Sequence, residues 1–347
     1  MAATEYGVYS NDAQGKTGVQ VAMEEVRKRK RDIVTSFRAG GEKRLEAAGV
    51  VVEVGEARFV GEKEVEIRAG DGGKKVVTAD KIFVNVGCRP ARPEIPGLDD
   101  VPEERVLDST TIQELGSVPA HLVVVGGGYI GLEFAQLFRR LGAEVSIIHR
   151  GPRLLARNDD PELVACMHDI LEEDGIDVLL SATSTTLSYS SSEAQGLPIL
   201  LTTIAQGTQK QIPASHILLA TGRTPNTSTL NLPAAGIETT SSGYIPTSPA
   251  LQTSTPGVYA LGDVKGGPAF THVSYDDFRI VKAQLASDAA RSTEDRVGVV
   301  PSVVYTDPQF AHVGPKWGDL EKGRKFVSYS MPASWIARGL ETGETRG

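Results

Sequence analysis

Cysteine is scarce in this chain: Cys88 and Cys166 are the only two in 347 residues. They lie far apart in sequence, which excludes a disulfide framework and any closely spaced set of thiolate metal ligands. No metal site is expected, and a reducing, cytoplasmic-type compartment is. Long hydrophobic runs are also lacking. The most apolar stretch is interrupted by Glu133 and three glycines, so no segment is expected to span a membrane, and no N-terminal signal peptide is visible. An excess of basic charge is the third absence. Lys and Arg number 36 against 44 Asp and Glu, a net charge of -8 that disfavours a nucleic-acid partner. The one basic run, Arg27-Lys28-Arg29-Lys30-Arg31, falls inside an expected helix and reads as a solvated helix face. The six histidines are scattered. What is left is a chain of ordinary globular composition, long enough for two or three domains.

Residues 121–150 are the most informative stretch. Leu122, Val123, Val124 and Val125 run into Gly126-Gly127-Gly128-Tyr129-Ile130-Gly131 and on through Leu132-Glu133-Phe134-Ala135, which reads as strand, tight turn and helix. Gly126 permits the turn, Gly128 lets backbone approach a pyrophosphate, and Gly131 lets the helix lie close to the strand, with helix N–H groups aimed at the anion. Gly142 ends the helical pattern, and Val145-Ser146-Ile147-Ile148 supplies the second strand of a βαβ unit. This is a dinucleotide-binding fingerprint in its proper context. After the second strand, where NAD enzymes place an acid to hold ribose hydroxyls, the chain has His149-Arg150 with Arg153 following, so NADPH is expected as the ligand with NADH second.

The remaining elements fall in order. Apolar residues at Val19, Met23, Val26, Ile33 and Phe37 predict one amphipathic helix over residues 18–45, preceded by a polar segment, 1–14, that offers no strand. From Val50 the period changes to two, through Val50 to Val54, Ala57 to Val60, Val65 to Ile67 and Val76 to Val77, predicting an antiparallel meander that feeds a buried strand over 81–87. That strand ends in Gly87-Cys88-Arg89-Pro90. A second buried strand, 217–220, ends in Thr221-Gly222-Arg223-Thr224-Pro225, so the chain closes two nucleotide-binding sheets, although only the second has an opening glycine motif. Between them a helix is expected over 161–173, a strand over 178–180 and a meander through Leu187, Ile199 to Ile204 and Ile212. Further on, residues 251–264 form a strand ending in Gly262-Asp263, and a helix follows over 271–285. An acid at a strand's C-terminal end can accept hydrogen bonds from polyol hydroxyls. Strands are expected to begin at Pro301 and to cover 325–329.

Together these pieces resemble the flavin-dependent pyridine nucleotide-disulfide oxidoreductases, the group of dihydrolipoamide dehydrogenase, glutathione reductase and mercuric reductase. The pieces that carry the resemblance are the Gly126 to Glu133 motif, Ala220-Thr-Gly-Arg223 with Pro225-Asn226, Ala260-Leu-Gly-Asp-Val264, and Pro301 to Pro308 reaching Val313-Gly314. The stretches Asp276-Asp277-Phe278-Arg279 and Arg291 to Arg296 are similar to those of mercuric-reductase-like and reactive-chlorine-resistance reductases. The resemblance implies an α/β fold with two Rossmann-like FAD- and NAD(P)-binding domains, the first incomplete, plus the start of an α+β interface domain. Its divisions are expected at 1–118 (FAD-domain remnant), 119–238 (NAD(P) domain), 239–298 (second part of the FAD domain) and 299–347 (incomplete dimerisation domain).

The same resemblance implies roles. Tyr129 covers the flavin and swings away for nicotinamide, and Glu133 sits near the hydride-transfer locus and pairs with a lysine. Asp263, behind Gly262, binds the FAD ribitol, and the helix start at Thr271 and His272 sets its dipole against the flavin pyrimidine edge. Gly87, Gly222 and Arg223, at the two strand closures, belong with the cofactor-binding residues. In the family, NAD(P)H reduces FAD, and FAD reduces a cysteine pair that passes electrons to a small-molecule substrate across a homodimer. This chain departs from that pattern: the first Gly-x-Gly-x-x-Gly, the Cys-x-x-x-x-Cys helix and the closing His-Pro segment are not in it, and Cys88 reads as an inert thiol. The expectation is therefore a fragment or shortened member in which FAD is held weakly or lost. A catalytically inactive NADPH-binding remnant and a ferredoxin-reductase-type flavoprotein are the alternatives.

Overall fold

The computed structural model describes residues 8–10, 19–155, 159–191, 196–286, 291–320 and 325–347 and resolves the chain into two compact units. One comprises Met1–Gly40, Pro90–Gly222 and Val303–Gly347; the other comprises Gly41–Arg89 and Arg223–Ser302.

The first unit is built on a parallel sheet of five strands in the order Asp177–Leu179, Glu144–Ile148, His121–Val125, His216–Leu219, Val106–Leu107. Its central strand is apolar on both sides because both faces are covered, as parallel sheets require. Leu122 and Val124 pack with Leu132, Ala135 and Phe138 of the helix Tyr129–Arg140 and with Val164 and Met167 of the helix Pro161–Glu173. Val123, pointing the other way, packs with Leu187, Leu201 and Ile212 of an antiparallel sheet formed by Thr183–Tyr189, Ile199–Ala205 and Thr208–Ala214. Each of the buried Val, Leu, Ile, Met and Phe side chains stabilises the unit by roughly 1.5–3 kcal/mol. The helix Pro161–Glu173 starts as its sequence dictates, with Asp160 accepting hydrogen bonds from the N–H groups of Glu162 and Leu163 and proline at the first helical position.

The second unit contains an antiparallel meander, Glu56–Gly61, Glu64–Arg68 and Lys74–Thr78, and a parallel pair, Ile82–Val84 with Val258–Ala260. Val84, Val258 and Ala260 share a core with Phe59, Leu232 and Ile245. The helix Thr271–Leu285 buries Val273, Asp277, Ile280 and Val281.

Several elements differ from what the sequence predicts. The long helix spans Met23–Ala47, and Val19–Val21 is a strand paired antiparallel with Val8–Ser10, so the leading segment does offer a strand. The Val-Gln-Val alternation there has the strand period, which outweighed one helical match at Val19; residues 1–7 and 11–18, including the expected helix start at 18, lie outside the described residues. Residues 50–54 and 325–329 form no strand, and Val51, Val54, Val327 and Tyr329 are exposed. Alternation makes a strand only where a ladder partner exists, and none pairs with either segment among the described residues. The strand at 81–87 is shorter than expected, and of Ile82–Val84 only Val84 is buried, while Phe83 stacks on Tyr259 with ring centroids 5.3 Å apart. No helix among the described residues is long and apolar enough to cross a membrane.

Candidate functional site

The glycine turn of the first unit is held by contacts that explain its composition. Gly126 has φ 121°, and a Cβ there would lie 2.3 Å from the Ala220 carbonyl oxygen. Its N–H donates to the Ile148 oxygen at 2.9 Å, so the turn leaves the sheet directly between the strands that flank it. A Cβ on Gly131 would lie 2.0 Å from the Gly126 oxygen, which fixes how closely the helix approaches the strand. Gly128 differs from both. A Cβ there would meet nothing within 4 Å, so its backbone faces open space in front of the first turn of the helix Tyr129–Arg140. The N–H groups of a helix start, a favourable dipole and a bare backbone fit a pyrophosphate.

His149 braces this turn. Its Nδ1 accepts a hydrogen bond from the Gly127 N–H at 3.1 Å, so the lone pair sits on Nδ1. Burial, and then the neighbouring Arg150 charge, lower its pKa below the ordinary histidine value, with a hydrogen bond to the Arg153 backbone acting in the other direction. Arg150 is exposed and Arg153 half-buried. The structure thus separates a neutral structural imidazole from two arginines available to an anion.

Tyr129 is half-buried at the first position of the helix. Glu133 lies one turn on, and its Oε1 accepts the Tyr305 N–H at 2.9 Å. No lysine pairs with Glu133 among the described residues. Gln136 and Arg140 continue the same ridge: Gln136 accepts the Asp307 N–H at 2.7 Å and donates to the Asp307 oxygen at 3.0 Å, and Arg140 donates to the Asp307 carboxylate at 2.6 Å. The helix that carries the glycine turn therefore also grips residues 305–307 along one face.

In the second unit the strand expected over 251–264 is only Val258–Ala260, and Gly262 and Asp263 follow it in a 3-10 turn, Gly262–Lys265. Gly262 has φ 67°, and a Cβ on it would lie 2.9 Å from Asn85 Oδ1. The Asp263 carboxylate lies 3.7 Å from Arg223 Nε and accepts no hydrogen bond among the described residues. Arg223 donates to the Cys88 oxygen at 2.6 Å, its own oxygen accepts from the Tyr244 hydroxyl at 3.3 Å, and its Nε is buried with no hydrogen-bond partner. A carboxylate with free acceptor capacity beside an orphaned guanidinium N–H suits a polyol or phosphate ligand. Gly87 is half-buried at φ 66° with open space where a Cβ would stand; Gly222, which belongs to the first unit, is exposed. Thr271 opens its helix, while His272 stacks on Phe270 at 5.2 Å and donates from Nε2 to the Pro301 oxygen at 3.0 Å.

One residue that the sequence reading left without a role is central here. Asp277 is fully buried, and its carboxylate accepts the Gly262 N–H at 2.8 Å and the Arg296 guanidinium at 2.6 Å, with Lys265 Nζ 3.3 Å away. A signal for it existed: Val273, Asp277, Ile280 and Val281 have helical spacing, and an acid on a buried stripe requires partners.

Both thiols are free and half-buried. Burial, then the Asp263 charge, push the Cys88 thiol up, against a smaller opposing effect of Arg223, and its Sγ donates to the Asp263 oxygen at 3.5 Å. Burial, followed by Asp169 and Glu173, raises Cys166 as well. Neither environment favours a thiolate. His168, Asp169 and Glu172 lie close enough to share an ion, yet the two acids are exposed on one helix face and nothing else converges on them.

Comparison with known proteins agrees with these features. Residues 7–277 match the family described as pyridine nucleotide-disulphide oxidoreductase, and the chain belongs to that family. It is 34% identical over 304 residues to the mercuric reductase of Staphylococcus aureus, covering 87% of this chain and 53% of that protein. It is 32% identical over 294 residues to the probable pyridine nucleotide-disulfide oxidoreductase RclA of Escherichia coli (strain K12), covering 84% of this chain and 64% of that one. The solved structure of the HOCl-induced flavoprotein disulfide reductase RclA from Escherichia coli superposes with a TM-score of 0.83 at 30% identity, over 97% of this chain and 73% of that chain. The chain thus spans about half to two thirds of the length of these curated relatives. The family works with a flavin and a pyridine nucleotide, and the mixed α/β architecture with its parallel sheet is Rossmann-like.

Proposed function

We propose that this chain binds a reduced pyridine nucleotide, NADPH ahead of NADH, on the turn at 126–131 and serves hydride transfer to FAD, which these 347 residues hold only weakly. The observation that carries the reading is the open backbone at Gly128 in front of a helix start whose neighbouring glycines are each sterically required. Arg150 and Arg153 take the 2'-phosphate, His149 keeps the turn in shape, Tyr129 covers the flavin and swings away as nicotinamide enters, and Glu133 lines the nicotinamide side. Bound flavin supplies the two-electron acceptor. Asp263 accepts hydrogen bonds from its ribitol hydroxyls, with Gly87, Gly262 and Arg223 shaping the surrounding backbone and Thr271 and His272 presenting the helix start. A small molecule as terminal substrate and a second copy of the chain as partner belong to the same reading, on the strength of the family.

A second reading, a chain that binds NADPH without turnover, is favoured by the two thiols, each protonated and without a cysteine neighbour. Calorimetry of the 347-residue chain tests the shared part of both. Charge-assisted bonds of about 1.5–3 kcal/mol to the 2'-phosphate give roughly ten- to a hundredfold tighter NADPH than NADH binding. Equal or better NADH binding would overturn the assignment of Arg150 and Arg153.

A further inference from the structure

Among the described acids of the second unit, Asp277 stands apart because its carboxylate is fully buried. Oδ2 accepts the Gly262 N–H at 2.8 Å and lies 3.3 Å from Lys265 Nζ, itself nearly buried. Oδ1 accepts from Arg296 at 2.6 Å. The neighbouring Asp276 binds Arg291 at 2.8 Å and Arg296 at 3.1 Å but does not touch the turn. Two adjacent acids thus tie residues 291–296 to the helix Thr271–Leu285, and only one of them continues the tie to Gly262.

We infer that Asp277 is a positioning residue for flavin: through the Gly262 N–H and Lys265 it fixes the turn that presents Asp263. The inference rests on reading Asp263 as a ribitol ligand. Gly262 sits in the left-handed region, and the half-buried Asp263 carboxylate beside it gets no hydrogen bond of its own to hold it. Its direction therefore depends on the backbone that carries it. One carboxylate holds the backbone N–H of Gly262 before Asp263 and the side-chain ammonium of Lys265 after it. A buried ion cluster contributes little to net stability when compared with an apolar replacement, but removing one member leaves the others unpaired, so the geometry is specified strongly. Asparagine keeps the shape of Asp277 and loses the charge, and its amide places a donor against either Arg296 or the Gly262 N–H.

The experiment has two arms on the full 347-residue chain. In the first, without flavin, hydrogen exchange followed by mass spectrometry compares peptides covering residues 258–266. Asp277→Asn is expected to speed exchange there by about tenfold or more, with the meander at 56–78 unchanged and Asp276→Asn leaving 258–266 close to wild type. If Asp277→Asn fails to fold, Asp277→Ser, which leaves the cations room for water, carries the same expectation. Unchanged exchange at 258–266, acceleration spread evenly over the unit, or an equal effect of Asp276→Asn would overturn the inference. In the second arm, quenching of FAD fluorescence gives dissociation constants. Asp277→Asn is expected to weaken binding about as much as Asp263→Asn, and the double variant to be no weaker than the weaker single one. Additive losses would show that Asp277 does not act through Asp263 and would overturn the positioning role. A wild-type chain that binds no FAD would remove the ribitol assignment of Asp263 and with it the role in flavin binding, while the first arm would still decide whether Asp277 holds the turn.

Discussion

Single side chains at the 126–131 turn have separable effects. Gly131→Ala places a methyl 2.0 Å from a carbonyl oxygen, so the helix must move off the strand; overpacking of this kind costs about 1–3 kcal/mol and lowers the denaturation midpoint without a change of m-value. Gly128→Val meets open space instead, and it is expected to leave the unfolding free energy within about 1 kcal/mol of wild type while weakening NADPH at least about tenfold, because the side chain fills the volume a pyrophosphate needs. Loss of stability with unchanged NADPH affinity in Gly128→Val would place the nucleotide elsewhere. The glycines were legible in the sequence because their requirements are local: a turn, a close approach and a bare backbone within six residues. His149 was legible only as a basic neighbour. Its neutral, turn-bracing state depends on burial and on the Gly127 N–H, neither of which spacing reveals. Asp277 could have been read from its place on an apolar stripe, but its partners Lys265 and Arg296 come from segments on either side of the helix and could not.

The strands of the parallel sheet start at an edge that carries two half-buried histidines. His216 lies on the strand His216–Leu219 with Nδ1 3.1 Å from Ser215 Oγ, and burial, then Arg105, lower its pKa to about 4. His121 opens the adjacent strand with Nε2 2.9 Å from Ser146 Oγ, and burial lowers it too, against Glu144. Both bind a proton more readily unfolded, at the ordinary value of about 6.5, than folded. Their contribution to stability is present above pH 6.5 and is lost as pH falls from there toward 4. Urea denaturation across that range is expected to show a falling midpoint, with a shallower fall in His216→Gln; an unchanged slope would mean that His216 is solvated. Elements as a class were more legible than their ends. The helices Pro161–Glu173 and Thr271–Leu285 match their expected bounds, the first because its Asp160 cap and proline agree with its periodicity, the second on apolar periodicity alone. Residues 50–54 and 325–329 carry strand-like alternation but have no ladder partner, and a partner is a tertiary fact.

At the scale of the whole chain, fold class and family follow from the order of motifs, whereas activity depends on groups that single motifs do not supply. Purified protein of these 347 residues is expected to carry little FAD, since its flavin contacts are those of the Gly262–Asp263 turn and the following helix, and each further contact of a tight site contributes about 1–3 kcal/mol. A yellow preparation with near-stoichiometric flavin absorbance would refute this. Under the proposed function, reducing equivalents reach a flavin supplied in solution but are not relayed through the chain's own sulfurs. A relay needs two sulfurs able to bond, with Cα atoms within about 7 Å, and a thiolate to begin it. Cys88 and Cys166 belong to different units, both are free, and both are held protonated by burial and neighbouring acids. The most direct measurement is stopped-flow NADPH oxidation with added FAD and a disulfide or metal-ion acceptor, comparing the wild-type chain with Cys88→Ser and Cys166→Ser. The account predicts turnover below about 1 s⁻¹, the low end of ordinary enzymes, and the same in all three proteins. Faster turnover that vanishes in either serine variant would contradict it.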